Sequence, residues 1–403
     1  MSDSARPVML PEPDAAERAI SGRVLARVRD EIERAGGAIG FDRYMAIALY
    51  EPGMGYYAAG RRKFGAQGDF VTAPELTPLF GACVATQLAR WLPSLEPCIW
   101  EFGAGSGELA AQLLTELDRL GFDRIQYRIV EVSAELRDRQ RARLAALGPA
   151  VIERVTWLDA LPDRMDGIVL ANELLDALPV RLFALDQDGI VERVVQWAPD
   201  MVSGLRLARR SASAGFATQI EARLAQAGWT GARPATPYES EIGEQASAWV
   251  TSVAERLRAG VMLLIDYGFP AHEFYHPARV SGTVNCHYRH RSHADPLWQP
   301  GLCDITAHVD FSAVHRAATD AGLVCLGYGS QAAFLLGCGL AERFAALDAN
   351  RDLLARTRAA QALQMLVSEA EMGELFKVIA LASSAELAPL LLAGRDRSDS
   401  LCP

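Results

Sequence analysis

The chain has 403 residues, of which 50% are hydrophobic and 22% are charged, and its formal net charge at pH 7 is −10. This composition fits a globular enzyme of one large domain or two domains and excludes a disordered or fibrous protein. The acidic balance argues against nonspecific nucleic-acid binding, which depends on a basic surface.

Seven scattered cysteines without a CxxC pair suit a reducing compartment. The first twenty residues lack an apolar signal core, and no apolar run is long enough to cross a bilayer. We therefore expect a cytoplasmic protein of bacterial type that does not insert into a membrane.

Taken in chain order, residues 1–20 are expected to form a polar tail. Two helices that end at glycine-rich turns are predicted between residues 21 and 57. A glycine-rich stretch then leads to a helix that opens after Pro78. We group residues 1–95 as an N-terminal helical lid region.

Strands and helices alternate from residue 97, which predicts an α/β fold with a parallel sheet covered by helices on both faces. This Rossmann-like domain would span residues 96–385. A hairpin with Asp-Gly at its tip and a mostly helical stretch over 203–260 form an insertion at about 181–260. A second, helical insertion is expected at about 330–372, and residues 386–403 form a tail.

The stretch "EFGAGSGEL" places Gly103, Gly105 and Gly107 between a strand and a helix, where glycine lets the backbone approach a nucleotide closely. No Lys-Ser or Lys-Thr pair follows Gly107, so a triphosphate loop is not expected. The dinucleotide fingerprint requires glycine where Glu108 stands, and a carboxylate there would face a pyrophosphate. S-adenosylmethionine, which carries no phosphate, fits this loop better than NAD.

Three acids are predicted at or beside successive strand ends, on the edge where open α/β sheets bind ligands. Glu101 could meet the ammonium group of S-adenosylmethionine, Glu131 the two ribose hydroxyls, and Asp159 the adenine amino group. The alternative is that each acid only caps its own loop. Ala104 in the glycine loop, Val132 after Glu131 and Ala160 after Asp159 complete the expected cofactor site.

Longer stretches of the chain are identified with a known family. The motifs "ALYEPGMGYY", "FGAQGDFVTAPELTPLFG", "ANELLDALPV", "LLIDYGFP" and "PGLCDITAHVDF" resemble those of the mitochondrial dysfunction protein A family (DUF185). The resemblance covers about residues 36–382 and implies a class I methyltransferase fold. It also implies S-adenosylmethionine as cofactor and S-adenosylhomocysteine as product.

The same resemblance implies a protein arginine N-methyltransferase that forms symmetric dimethylarginine on a subunit of respiratory complex I. This chain departs from the mitochondrial pattern because we expect no presequence, which leaves compartment and substrate open. A homodimer is a further expectation.

"ANELLDALPV" offers polar groups for a guanidinium acceptor, which is protonated and a poor nucleophile until it is oriented. We expect Glu173 to orient the guanidinium, Asp176 to support it, and Asn172 to touch the cofactor or the acceptor nitrogen. The alternative is that Asp176 only caps the following turn.

"GDFVTAPEL" is expected to fold over the cofactor. Gly68 and Asp69 would form a tight turn, and Phe70 would shield the sulfonium or simply pack. Thr72 and Glu75 would donate or accept hydrogen bonds at the amino acid end. "GLCDITAHVDF" is expected to place His308 and Asp304 on a strand or loop that reaches the site. His308 is a candidate proton acceptor, with a purely structural histidine as the alternative. The spacing of nearby cysteines and histidines matches no closed tetrahedral zinc site, so no metal is expected.

Two alternatives to a protein methyltransferase stay open. The acceptor could be a small molecule, or the chain could be an assembly chaperone that binds S-adenosylmethionine only for stability. An NAD oxidoreductase is the least favoured interpretation.

Overall fold

A computed structural model of the chain describes residues 10–58, 72–186, 189–230, 237–348 and 353–402. The chain forms two compact units. The first unit comprises Met1–Val71, Ala177–Gln245 and Tyr275–His308, and the second comprises Thr72–Asp176, Ala246–Phe274 and Val309–Pro403. These units do not follow the segments expected from the sequence, because the segment 1–95 contributes to both units.

The secondary-structure elements are numbered in chain order. The strands are β1 Ile39–Gly40, β2 Cys98–Phe102, β3 Gln126–Val130, β4 Val155–Leu158, β5 Met165–Asn172, β6 Arg181–Asp186, β7 Gly189–Trp197, β8 Leu205–Ser211, β9 Tyr238–Ile242, β10 Leu257–Phe269, β11 Asn285–Tyr288, β12 Arg291–His293, β13 Asp304–Thr306, β14 Val309–Asp310, β15 Val324–Ser330 and β16 Phe376–Ala382. The helices are α1 Ala15–Arg34, α2 Phe41–Tyr50, α3 Ala73–Leu76, α4 Pro78–Trp91, α5 Glu108–Arg119, α6 Ala134–Ala145, α7 Pro149–Ile152, α8 Ala214–Gln226, α9 Glu244–Ala254, α10 Ala271–Phe274, α11 Phe311–Asp320, α12 Gln331–Gly337, α13 Leu340–Asp348, α14 Leu353–Val367 and α15 Met372–Leu375.

The second unit is built on an eight-stranded sheet in the order β15-β16-β10-β5-β2-β3-β4, with β14 paired to β10. Strands β4, β3, β2, β5 and β10 are mutually parallel, whereas β16 runs antiparallel to both β10 and β15. The α/β fold class is confirmed, and the wholly parallel sheet is corrected to a mixed one. A strand buried on both faces reads as a continuous apolar run whichever way it points, so the sequence of β16 did not reveal its direction.

The register of the parallel strands brings their carboxyl ends level with one another. Phe102 pairs with Val130 on one side and Ala171 on the other, Val130 pairs with Leu158, and Asn172 pairs with Ile265. The residues that follow these positions therefore share one edge of the sheet. This edge is where ligands bind in open α/β sheets.

The first unit contains a five-stranded antiparallel sheet in the order β1-β7-β6-β9 with β8 paired to β7, and a three-stranded sheet in the order β12-β11-β13. The predicted hairpin is confirmed as β6 and β7, and its tip, residues 187–188, lies outside the described residues. The mostly helical character expected for 203–260 is wrong, because β8 and β9 lie in that stretch. In β9 the polar residues Ser240 and Glu241 are buried, so hydropathy gave no strand pattern there.

Helix α1 begins inside the stretch that was expected to be a polar tail. Asp14 accepts a 2.8 Å hydrogen bond from the amide of Glu17, and the Glu17 carboxylate accepts one of 2.8 Å from the amide of Asp14. This capping box satisfies two amide groups at the helix start. Helix α1 buries Val24, Val28 and Ile32, which accounts for its stability in the folded chain.

The C-terminal segment is part of the second unit and packs against its helices and strands. Leu390 and Leu401 are buried, and the indole nitrogen of Trp91 donates a 2.7 Å hydrogen bond to the carbonyl of Ala388. Among the described residues, every helix is too short or too polar to cross a bilayer.

Candidate cofactor and acceptor site

The glycine loop between β2 and α5 follows backbone conformations that favour glycine. Gly103, Gly105 and Gly107 have φ angles of +70°, +51° and +82°. A Cβ atom on Gly103 would lie 3.0 Å from a methyl group of Leu174, and one on Gly107 would lie 3.1 Å from the Cα of Gln140. The loop therefore needs glycine both for its conformation and for its close neighbours.

Glu101 ends up among the most buried acids of the second unit. Its side chain is 2% exposed, and its Oε2 accepts a 2.8 Å hydrogen bond from the hydroxyl of Tyr127 on the neighbouring strand. Burial raises the pKa of Glu101 to about 7, and the hydrogen bond from Tyr127 lowers it in part. A cation that reached this carboxyl group would stabilise its ionised form.

Glu131 is held by backbone and side-chain donors. Its Oε1 accepts a 2.8 Å hydrogen bond from the amide of Ser133, and its Oε2 accepts one of 3.2 Å from the side chain of Gln140. Burial raises the pKa of Glu131, and these two hydrogen bonds lower it in part. Each carboxylate oxygen has more than one lone-pair direction, so each can still accept a ligand hydroxyl.

The positions beside these acids are open to solvent. Val132 is 77% exposed directly after Glu131, and Asp159 and Ala160 are exposed after β4. The exposed Val132 side chain, which lies after β3, provides an apolar surface at this edge of the sheet. The expected contact of Asp159 with adenine, and those of Val132 and Ala160 with the cofactor, stay predictions.

The loop is also tied to the segment that precedes the sheet. The hydroxyl of Ser106 donates a 2.5 Å hydrogen bond to the carboxylate of Glu75 in α3, and Thr72 directly precedes the same short helix without a side-chain capping bond. Ala104, between the loop glycines, is buried. The predicted cofactor contacts at Gly68, Asp69 and Phe70 lie outside the described residues.

The ion pair of Glu108 weakens the expectation that its carboxylate would repel a pyrophosphate. Its carboxylate accepts hydrogen bonds of 2.6 and 3.1 Å from the guanidinium of Arg143 and one of 3.1 Å from Gln112. Since its charge is paired, it opposes a pyrophosphate less than the sequence suggested.

The carboxyl end of β5 carries a backbone strain at Glu173. Its φ angle of +51° lies in the left-handed region, which glutamate rarely adopts. The side-chain amide of Asn172 donates a 3.1 Å hydrogen bond to Glu173 Oε1, while Asn172 Oδ1 is buried without a partner in the described part of the chain. Such strained residues cluster at functional sites, and a buried carbonyl oxygen without a donor is suited to accept one from a ligand.

Asp266, at the carboxyl end of β10, was not among the residues predicted from the sequence. It is 1% exposed, and its Oδ2 accepts hydrogen bonds from the amides of Leu174, Leu175 and Asp176 at 3.2, 2.8 and 3.3 Å. Its Oδ1 accepts a 2.9 Å bond from the amide of Tyr267. The side chain thus fixes the turn that follows Glu173.

Asp176 joins the same cluster of acids. The hydroxyl of Tyr267 donates a 2.5 Å hydrogen bond to Asp176 Oδ2, and Asp176 is 6% exposed. Burial raises the pKa of Asp266 well above its ordinary value, and the negative charges of Asp176 and Glu173 raise it further. The position of Asp266 at a strand end is the same signal that identified the other acids and could have been used for it.

His308 belongs to the first unit, in the turn after β13. Its amide donates a 2.9 Å hydrogen bond to the hydroxyl oxygen of Thr283, and that hydroxyl donates one of 2.5 Å to the buried carboxylate of Glu241. Burial raises the pKa of Glu241 to about 7. In the same unit Asp304 accepts a 2.8 Å bond from the hydroxyl of Tyr57, which joins the motifs "ALYEPGMGYY" and "PGLCDITAHVDF".

Within the described ranges, no group of three or more histidine, cysteine, aspartate or glutamate side chains is placed to hold a metal ion.

The sheet order, the glycine loop and the acids along one edge define a class I methyltransferase fold of the kind that binds S-adenosylmethionine. The chain belongs to the family described as "Putative S-adenosyl-L-methionine-dependent methyltransferase", whose sequence profile matches residues 83–329. The protein is an S-adenosylmethionine-dependent methyltransferase, so the expected cofactor and the expected family are confirmed.

Solved structures and curated proteins are similar to nearly the whole chain. A crystal structure of a COG1565 superfamily member from Burkholderia thailandensis, bound to S-adenosyl-homocysteine, is 47% identical with a TM-score of 0.90, covering 97% of this chain and 100% of that one. "Protein arginine methyltransferase NDUFAF7, mitochondrial" from Danio rerio is 28% identical, over 88% of this chain and 86% of the relative. The protein of the same name from Homo sapiens is 29% identical, over 86% and 80%.

Proposed function

We propose that this methyltransferase acts on arginine side chains of a protein, and that it forms symmetric dimethylarginine on a partner such as a respiratory complex I subunit. The observation that carries the proposal is the concentration of acids at the ends of β5 and β10. Glu173 and Asp176 lie close enough to Asp266 to raise its pKa by their charges. A cationic acceptor relieves this repulsion, and a guanidinium is a cation at any physiological pH.

The residues present fit the cofactor. We place the amino acid end of S-adenosylmethionine at the glycine loop and Glu101, the ribose at Glu131, and the adenine beside Val132 and Asp159. The left-handed glycines let backbone amides approach the ligand, and Asn172 Oδ1 offers a buried acceptor without a protein donor in the described ranges. When bound, S-adenosylmethionine supplies an electrophilic methyl group on a sulfonium.

Glu173 orients the acceptor in this proposal. A carboxylate that accepts from two guanidinium nitrogens fixes the plane of the group and localises its charge, which leaves the third nitrogen more nucleophilic. The bond from Asn172 and the left-handed backbone set the direction of the Glu173 side chain. Asp176, held by Tyr267, supports the positive charge.

The acceptor nitrogen loses a proton as it gains the methyl group. His308 is the proposed proton acceptor because an imidazole has a pKa near neutral pH. A His308→Gln variant would then lower the maximal rate more at pH 7 than at pH 9, where hydroxide can remove the proton. A rate loss that is the same at both pH values would remove His308 from this role.

The experiment that tests the acceptor class uses tritiated S-adenosylmethionine and an extract from cells that lack this protein. The proposal predicts label in the protein fraction with the wild-type enzyme and loss of that label with Glu173→Gln. Glu153→Gln, an exposed glutamate outside the site, is the matched control and should retain the label. Label confined to small molecules would favour a metabolite acceptor, and no label with normal cofactor binding would favour a binding protein.

A further inference from the structure

The side chain of Gln140 connects three parts of the cofactor edge that are distant in sequence. Gln140 lies on α6 and is fully buried. Its Nε2 donates to the carbonyl of Gly105 at 3.1 Å and to Glu131 Oε2 at 3.2 Å, and its Oε1 accepts a 2.9 Å bond from the indole nitrogen of Trp157. One amide group therefore contacts the glycine loop, the end of β3 and strand β4.

A glutamine suits this position because its side-chain amide has two donor hydrogens and an acceptor oxygen. Both donors are used on the loop carbonyl and the carboxylate, and the oxygen takes the bond from Trp157. An apolar side chain of the same length would leave the buried Glu131 carboxylate, the Gly105 carbonyl and the Trp157 indole nitrogen without this partner.

Helix α6 and its N-cap residue donate hydrogen bonds to both carboxylate oxygens of Glu131. The amide of Ser133, the residue that caps α6, donates to Oε1, and Gln140 donates to Oε2. The backbone of Gln140 also lies so close to Gly107 that a Cβ there would come within 3.1 Å of the Gln140 Cα. The helix thus sets the separation between the glycine loop and the Glu131 carboxylate.

We propose that Gln140 is a positioning residue for the cofactor: it fixes the Glu131 carboxylate relative to the glycine loop, so that both ribose hydroxyls of S-adenosylmethionine are bound at once. This inference rests on the cofactor placement proposed above. Gln140 acts through Glu131 and the loop carbonyl. The bond from Trp157 selects the orientation of the amide in which nitrogen, and not oxygen, faces the carboxylate.

The test measures the affinity of the purified full-length protein for S-adenosylhomocysteine by calorimetry. Gln140→Met should weaken binding about tenfold, the effect expected when buried polar contacts to a ligand-binding carboxylate are lost. Gln331→Met is the matched control. Gln331 is also fully buried, donates a 3.0 Å bond to a carbonyl, and lies on α12 next to the opposite edge strand β15. It should change the affinity less than about twofold.

A double-mutant cycle separates positioning from a general structural role. If Gln140 acts through Glu131, then Gln140→Met combined with Glu131→Gln should weaken binding no more than Glu131→Gln alone. Gln140→Met should also reduce the difference in affinity between S-adenosylhomocysteine and its 2′-deoxy analogue. A structural role would weaken both ligands equally and give multiplicative effects in the cycle.

The inference is overturned if Gln140→Met binds S-adenosylhomocysteine like the wild type, or if the two substitutions act independently. A Glu131→Gln variant with unchanged affinity would overturn the cofactor placement together with the inference. A protein that shows the predicted coupling but methylates no arginine would refute the proposed function and leave this inference intact.

Discussion

The hydroxyl of Tyr127 donates a 2.8 Å hydrogen bond to the carboxyl group of Glu101, a residue that is only 2% exposed to solvent. Burial disfavours the ionised carboxylate and raises its pKa to about 7, while the Tyr127 hydroxyl favours it. If Glu101 binds the ammonium group of the cofactor, its carboxyl group must be ionised in the complex. The proton balance of cofactor binding therefore depends on these two residues.

Affinity for S-adenosylhomocysteine should rise with pH through 7. The pKa of Glu101 is raised without ligand and falls when a cation binds. The affinity is therefore highest above pH 7, where the carboxylate is already ionised, and it decreases as the pH falls below 7. Calorimetry should show about tenfold weaker binding at pH 6 than at pH 8. Glu101→Gln should remove this dependence, and Tyr127→Phe should move its midpoint to higher pH. A wild-type affinity that does not change between pH 6 and 8 would contradict the role of Glu101.

The glycine loop should tolerate no side chain at Gly107. Gly107 and Gly121 both have left-handed φ angles, +82° and +90°, but a Cβ at Gly121 has nothing within 4 Å. Both alanine variants therefore lose about 1–2 kcal/mol for conformation, and Gly107→Ala loses about 1–3 kcal/mol more for crowding against Gln140. Urea denaturation measures the difference. Equal losses in the two variants would show that the helix yields to the added methyl group.

Glu173→Gly should cost little stability although it abolishes methyl transfer. Glycine removes the left-handed strain at this position, which stabilises the folded state by about 1 kcal/mol. Glycine also increases the conformational freedom of the unfolded chain, which offsets this gain. Glu153 has a φ angle of −63°, which carries no such strain. The free energy of unfolding should therefore fall by about 1 kcal/mol less in Glu173→Gly than in Glu153→Gly. If both variants lose the same stability, the strain at Glu173 is not a property of the folded protein.

Asp266→Ala should destabilise the turn from Leu174 to Asp176. The substitution leaves four amides without this acceptor, three of them in the turn and the fourth that of Tyr267. Buried amides without partners cost about 1–3 kcal/mol each, less where water can enter. Hydrogen exchange should show faster exchange at these amides. Asp396→Ala is the control, since Asp396 also accepts from two amides, those of Tyr328 and Ser398, but is exposed. Unchanged exchange at residues 174–176 would contradict the role assigned to Asp266.

The edge of the sheet could be predicted from the sequence because strands of a parallel sheet end together. Glu101, Glu131 and Asp159 each lie at or beside the end of an apolar run, and one rule places them at one edge. The same rule applies to Asp266, which follows the apolar run of β10 and shares this edge. The contacts of Gln140 could not be predicted in this way, because a helical glutamine shows its partners only once α6 has packed against the loop.

Other differences between sequence and structure have local causes. The Asp14–Glu17 capping box is a readable helix start that the polar composition of the N-terminus concealed. Strand β9 carries Glu241, which is buried because Thr283 donates two hydrogen bonds to it. Hydropathy treats such a residue as exposed, and only tertiary hydrogen bonds reverse that expectation.

The most direct test of the proposed function is mass spectrometry of acid-hydrolysed protein after the wild-type enzyme has acted on an extract from cells that lack it. Symmetric dimethylarginine that accumulates with the wild type and is absent with Glu173→Gln is the predicted result. The contradicting result is an enzyme that binds S-adenosylhomocysteine and transfers label, yet leaves every arginine of the extract unmodified.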